Sequence, residues 1–391
     1  MPKLCKTCGE PSCKKHEFFL GKTIKIDKFS GSTPPEIFVG KWNYPNVYTG
    51  ILSPQEHGDT QILSSHELWH KEKLPISKIM EFRNQLIYGR TQSYIKNPNT
   101  KFLSVMKEIA MTHKSISTSF FLKKPITKNT EAESRVPLIP KAAPVEKVQL
   151  EENAPVKEKI DYLVNDTEVK SVHAINELHK SNISTSTIIK ILSAGLLGLK
   201  KNRKLVPTRW SITAVDDTIS KTKLEKIRLF PEISEFHVFH ADYVGNYYNF
   251  LLLPDKYSFE VLEISIKNPY SAGVWQDYES FFPRKKYADS VTGAYYANRL
   301  ALTEYLEKIK RQASCLVIRE IRPEYYASCG VGILREISRE AFSKSPEKFS
   351  TLNEALNNIQ SRLKQPITNY TNKSWLLKNF GRQKKLNEFF K

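Results

Sequence analysis

Three stretches hold residues whose types and spacing suit chemistry: a Cys/His cluster at the start, a polar run in the middle, and an acidic, histidine-bearing hairpin after it. Cys5, Cys8, Cys13 and His16 are spaced C-x2-C-x4-C-x2-H. Two short ligand pairs around a turn at Gly9 and Pro11 suit tetrahedral Zn2+, with the cysteines bound as thiolates. Four protein ligands close the coordination sphere, so the expected zinc is structural, not catalytic. The competing reading is a set of reduced, unliganded thiols. Lys3, Lys6, Lys14 and Lys15 surround the cluster and suit phosphate contact.

The central run, VPTRWSITAVDDTIS at 206–220, follows the basic residues Lys200, Lys201, Arg203 and Lys204. Arg209 and the basic run can hold phosphate, and Trp210 can stack a base. Its first half reads as strand. Asp216 and Asp217 suit a divalent cation, Mg2+ or Mn2+, or acid–base work. Alternatively Asp217 caps the helix that follows and Asp216 joins a buried Arg–Asp pair. Residues 236–266 read as a β-meander with a turn at Gly245-Asn246, which sets Asp242 opposite Asn249 and His240 opposite Leu251. Alternation then puts His240, Asp242 and Asn249 on one face, with Glu263 on the next strand as a further candidate. The catalytic candidates are therefore Asp216, Asp242 and Glu263 for metal and His240 for proton transfer. A solvated sheet face is the competing reading.

Near the end of the chain, Gln383, Leu386, Phe389 and Phe390 spell Q-x-x-L-x-x-F-F. One helical turn gathers the leucine and both phenylalanines into an apolar plug, and Gln383 can bond the groove edge. Two aromatics on a Lys-rich end need something to cover them. An amphipathic helix packed on its own domain would satisfy them too. The four anchors resemble the PCNA-interacting peptide of archaeal and eukaryotic replication and repair proteins, which implies docking to a DNA sliding clamp.

These groups need a scaffold, and the pattern predicts an α+β fold: an antiparallel β-meander with flanking helices, a small N-terminal zinc module and a flexible C-terminal tail. The expected divisions are a zinc module at 1–20, an α+β region at 21–121, a Pro-rich linker or strap at 122–161, a second α+β region at 162–365, and a tail at 366–391. A strand is expected at 37–39 and helix over most of 75–113. Further expectations are a helix pair over 171–198, a long helix over 292–312, an apolar strand over 315–321 and a helix over 335–342.

The chain has 391 residues, 60 of them basic and 41 acidic, for a net charge of +19. Such a balance favours polyanionic partners, nucleic acid first. No apolar run reaches the ~18 residues a membrane helix needs, and the N-terminus is no secretory signal, so a cytoplasmic protein without a membrane partner is expected. No Walker A motif, G-x-S-x-G elbow or zinc-deaminase signature is present.

VPTRWSITAVDD at 206–217, IFVGKWNYPNV at 37–47, the cysteine cluster and the terminal box together resemble the archaeal Nre DNA repair proteins, of the NreA type. The resemblance implies a cytoplasmic archaeal protein that binds PCNA and repairs DNA damage alongside nucleotide excision repair proteins. It assigns clamp contact to Gln383, Leu386, Phe389 and Phe390 and zinc to the Cys5/Cys8/Cys13 region, and it supplies no reaction. Three readings follow: a clamp-tethered DNA-binding repair factor, a metal-dependent DNA nuclease, and a nucleotide-processing enzyme tethered to the clamp.

Overall fold

Alternating β-branched and aromatic residues build two mixed six-stranded sheets, each carrying its own helices. The computed structural model describes residues 24–96, 100–128, 142–266 and 273–381. The zinc cluster and the docking peptide, Gln383 to Phe390, lie outside those residues. Chain contacts divide the protein into one unit of Met1–Thr218 with Tyr326–Gly330 and another of Ile219–Tyr325 with Val331–Lys391.

The first unit contains β1 (Ile24–Thr33), β2 (Ile37–Val39), β3 (Asn46–Ser53), α1 (His66–Lys71), α2 (Ile76–Gln85), β4 (Ile87–Tyr94), α3 (Lys101–Met111), β5 (Ile116–Lys128), β6 (Ala142–Leu150), α4 (Glu158–Asn165), α5 (Ser171–Lys180) and α6 (Thr185–Ser193). The helix α7 (Thr208–Ile227) runs past its end. Strand order is β1-β5-β6-β4-β3-β2, antiparallel except where β4 meets β6. Two expectations change here. The helical stretch over 75–113 is two helices around β4, because Leu86 turns extended and the apolar residues after it belong to a strand. Gly50 and Gly89 explain why that strand fits: a Cβ on Gly50 would fall 2.2 Å from the Tyr88 ring, and one on Gly89 would fall 3.1 Å from Phe120. The described part of the Pro-rich 122–161 segment is mostly the end of β5, then β6 and the start of α4, so it lies within the fold. Phe120 on β5 stacks on Phe29 at 4.7 Å, which ties β5 into the core.

The second unit holds β7 (Phe236–Tyr243), β8 (Asn246–Leu253), β9 (Ser258–Ser265), β10 (Val274–Glu279), α8 (Thr292–Ile309), β11 (Ser314–Ile321), α9 (Val331–Ser343), β12 (Glu347–Phe349), α10 (Leu352–Gln360), α11 (Thr368–Thr371) and α12 (Trp375–Asn379). Its order is β10-β9-β11-β8-β7-β12. The expected pure antiparallel meander is thus corrected: β11 inserts between β8 and β9 and runs parallel to β9. Its continuous apolar sequence, SCLVIREI, is covered on both faces, as a central strand requires. On one face Phe239 and Phe250 pack on Phe342 of α9, and Phe259 packs on Tyr295 of α8. The other face buries Val238, Leu251, Leu316 and Ile318 against Ala355, Ile359, Tyr370 and Leu376.

That second layer also corrects the flexible tail for residues 366–381, because Tyr370 and Leu376 are core. Buried Glu260 fastens it by accepting from the backbone N–H groups of Trp375 (2.8 Å) and Leu376 (3.0 Å) and from the Ser374 hydroxyl. Glu320 does the same for Lys364 and Gln365. Each of these buried carboxylates is therefore matched by donors.

Candidate nucleic-acid interface

In the first unit, the β2–β3 loop and the start of α7 are held together by one hydrogen bond. The Val39 N–H at the end of β2 donates to Thr208 Oγ1 at 2.9 Å. Ser193 Oγ at the end of α6 bonds Ser211 Oγ at 3.0 Å and reaches Thr208 Oγ1 at 3.4 Å. Pro207 precedes the helix, and its carbonyl accepts from the N–H groups of Trp210 and Ser211. Pro at this point fits a helix start because its fixed φ and missing N–H cost nothing there. The run TRWSITAVDD is accordingly helical from Thr208, not strand-like in its first half. Thr208 and Ser211 face inward as a latch, while Arg209 and Trp210 are left exposed.

The latch brings Trp210 to 5.2 Å from Tyr44 of the β2–β3 loop. The same loop carries Trp42, 74% exposed, with the Lys41 ammonium 4.5 Å over its ring. Gly40 N–H bonds Tyr48 O and Asn46 N–H bonds Asn43 O, and Asn43 adopts the left-handed conformation that closes the loop. Tyr94, also exposed, ends β4 opposite Asn46, and the next N–H, of Ile95, donates to Pro45 O. Ile95 O in turn accepts from Leu205 N–H, beside exposed Lys204. Four exposed aromatics, Trp42, Tyr44, Tyr94 and Trp210, thus sit on hydrogen-bonded neighbouring segments with Lys41, Lys204 and Arg209. Aromatic rings interleaved with cations are what a single strand needs: π-faces for bases and positive charge for phosphates.

The other expected site residues fall as follows. Lys201 is exposed. Arg203 is not available for phosphate, because its guanidinium donates to the carbonyls of Val164, Asp166 and Gly198, each at 2.7 Å. Asp216 and Asp217 are buried within α7 and Asp217 caps nothing. In the second unit the hairpin turn is Val244-Gly245, with φ of 46 and 78, one residue earlier than expected. Glycine is required at 245 because a Cβ would lie 2.3 Å from Tyr325 N. His240 therefore faces Asn249, and Asp242 faces Tyr247. The same-face prediction is unaffected, since the register moves by two. His240, Asp242 and Asn249 line a cavity of about 340 Å³. Glu263 does not join them. Its strand pairs through Arg319 with Tyr248 and Ala241, the opposite face, and its carboxylate accepts from Arg319 at 2.7 Å. Among the described residues no group of three His, Cys, Asp or Glu side chains is arranged to hold a metal ion.

A second cavity in the first unit, about 320 Å³, is lined by Glu36, His66, Glu67, Ser186 and Lys190 among others. Burial raises the Glu36 carboxyl above the usual range, against the pull of Lys190 and Arg83. Burial pushes Glu67 the same way, yet its bond from the Ser186 hydroxyl (2.6 Å) and nearby His66 hold it down at about 2. No motif marks these residues; Glu67 reads in sequence only as an acidic residue in a helix's first turn.

Comparison with known proteins places this geometry in context. Residues 4–271 match the family description "Archaeal Nre, N-terminal" and residues 279–389 match "Archaeal Nre, C-terminal". The gap between the two matches falls between β9 and β10, inside the second sheet. Relatives include a protein named DNA repair protein NreB from Archaeoglobus fulgidus, 34% identical over 92% of this chain and 91% of the relative. A DNA repair protein NreA of the same organism is 32% identical over 98% and 96%. One named DNA repair protein NreA from Haloferax volcanii is 30% identical over 90% and 87%. No solved structure matches the chain.

Proposed function

The chain belongs to the archaeal Nre family, and from that premise we propose that it is a DNA repair protein that engages single-stranded or distorted DNA through the Trp42–Tyr44–Trp210 face. The observation that carries this reading is the exposed Tyr44–Trp210 pair beside Lys41 and Arg209, built from the two segments that most resemble the family. The relatives' names support the repair role. The net charge of +19 supports the polyanionic partner.

Recruitment by the PCNA clamp through Gln383, Leu386, Phe389 and Phe390, and work alongside nucleotide excision repair proteins, complete the proposal. It rests for these on the tail sequence and on the family resemblance. A structural Zn2+ on Cys5, Cys8, Cys13 and His16 is proposed on their spacing alone. In the second unit, no carboxylate pair supports metal-dependent cleavage: Glu263 is committed to Arg319 on the far face from Asp242. No helix among the described residues is long and apolar enough to cross a membrane.

The test is binding of labelled single-stranded, flapped and nicked DNA across a salt series, with and without Mg2+ or Mn2+. Affinity falling steeply with salt and no cleavage is the expected result. Salt-independent binding refutes the phosphate contact, and cutting that requires Asp216 or Asp242 revives the nuclease.

A further inference from the structure

The cavity in the second unit offers acceptors and little else. Asn249 is 2% exposed, yet its side-chain Oδ1 has no hydrogen-bond partner among the described residues. An orphaned buried acceptor costs ~1–3 kcal/mol, so it marks a place where a donor belongs. Asp242 adds an exposed carboxylate two residues along the strand from His240, whose imidazole stands opposite Asn249. Burial, with Arg362 and Lys344 nearby, holds that imidazole below its usual range, so it is neutral at pH 7.

The cations around the cavity are already engaged. Arg362 donates to Asn358 Oδ1 at 2.6 Å and pairs with Glu347. Arg322 donates to Glu320 and lies 3.5 Å over the Tyr247 ring, which fixes that ring at the cavity wall. Lys344 reaches the His240 carbonyl at 3.4 Å. Acceptors inside a positively charged rim disfavour a metal ion or an ammonium group as occupant. They suit a neutral N–H edge whose attached group is anionic. At about 340 Å³ the space far exceeds the ~30 Å³ share of one water and admits a heterocycle.

We propose that this cavity is a binding site for the amino-bearing base of a nucleotide, whose N–H edge donates to Asn249 Oδ1 and Asp242 while its phosphate meets the Lys344–Arg362 rim. The site is separate from the aromatic face of the first unit, and mononucleotides test it without any contribution from a DNA strand.

The experiment is calorimetric titration of the full chain with GMP, AMP and CMP, with ribose 5-phosphate as the control lacking a base. At least one nucleotide is expected to bind, with ribose 5-phosphate weaker by about tenfold or more, since a buried acceptor left without its donor costs ~1–3 kcal/mol. Asn249→Leu is expected to abolish that preference. Asp242→Asn, on an exposed residue that tolerates change, is expected to weaken the nucleotide while leaving ribose 5-phosphate unaffected. Equal binding of nucleotide and ribose 5-phosphate overturns the proposal. So does the absence of saturation at millimolar nucleotide, or undiminished affinity in both variants. A rise in melting temperature for Asn249→Leu with nucleotide affinity unchanged would mean a water-filled cavity only.

Discussion

Trp210→Ala is the substitution that most directly tests the aromatic face. Trp210 is 45% exposed, so its removal opens no core cavity, and the main internal loss is its contact with Tyr44 at 5.2 Å. An aromatic pair contributes ~0.5–1.5 kcal/mol beyond burial, which limits the stability change to a few degrees in Tm. A base stacked on the ring contributes ~1–3 kcal/mol by alanine substitution, so affinity for single-stranded DNA should drop by about 5- to 150-fold. The Trp contact carries no charge, and the salt slope should stay the same. Arg209→Gln should behave in the opposite way, lowering the slope by about 0.7 per lost phosphate contact on a single strand, with a smaller affinity change at high salt. Fluorescence anisotropy of a labelled oligonucleotide over a range of about 50–200 mM salt separates the two effects. Unchanged affinity in Trp210→Ala, or an altered salt slope with normal stacking-dependent fluorescence, would refute the stacking role. Collapse of the fold would show that Trp210 anchors the loop, not a base.

Other perturbations probe the remaining features. Glu67, held at about 2 against an ordinary 4.5, contributes stability that is complete above about pH 4.5 and is lost as pH falls toward 2, worth on the order of 3 kcal/mol at most. Glu67→Gln should therefore lower stability at pH 7 and flatten the acid limb, as followed by urea unfolding at several pH values; an unaltered acid limb would contradict this. Arg299→Ala strands the fully buried Glu279, its partner at 2.9 Å, and should cost about 3–5 kcal/mol in the second unit's unfolding. Phe389→Ala with Phe390→Ala should abolish capture by immobilised PCNA while DNA affinity and Tm hold; retained capture would dismiss the terminal box. Cys5→Ser with Cys8→Ser should remove zinc from the purified protein, measured by elemental analysis, and unchanged zinc would dismiss that site.

Local signals in the chain were enough for several elements. The helix pair α5 and α6, the long α8, the central strand β11 and the β7–β8 hairpin follow from period and punctuation, because the buried face of each is written in its own residues. Arg209 and Trp210 were readable as an exposed stacking pair by type alone. Three things were not readable. Arg203 and Arg209 look alike in a basic run, yet one is spent on three backbone carbonyls and the other is free to solvent, since that depends on which loop passes nearby. Glu263 and Asp242 look like members of one face, until β11 enters between their strands and reverses which side Glu263 faces. Trp42 and Tyr44 meet Trp210 across more than 160 positions of chain only because Thr208 latches to Val39. Residue types and short-range periodicity are local properties and are present in the unfolded chain. Which groups converge, and which are consumed in holding the backbone, depends on strand order and long-range hydrogen bonds that exist only once the sheets have formed.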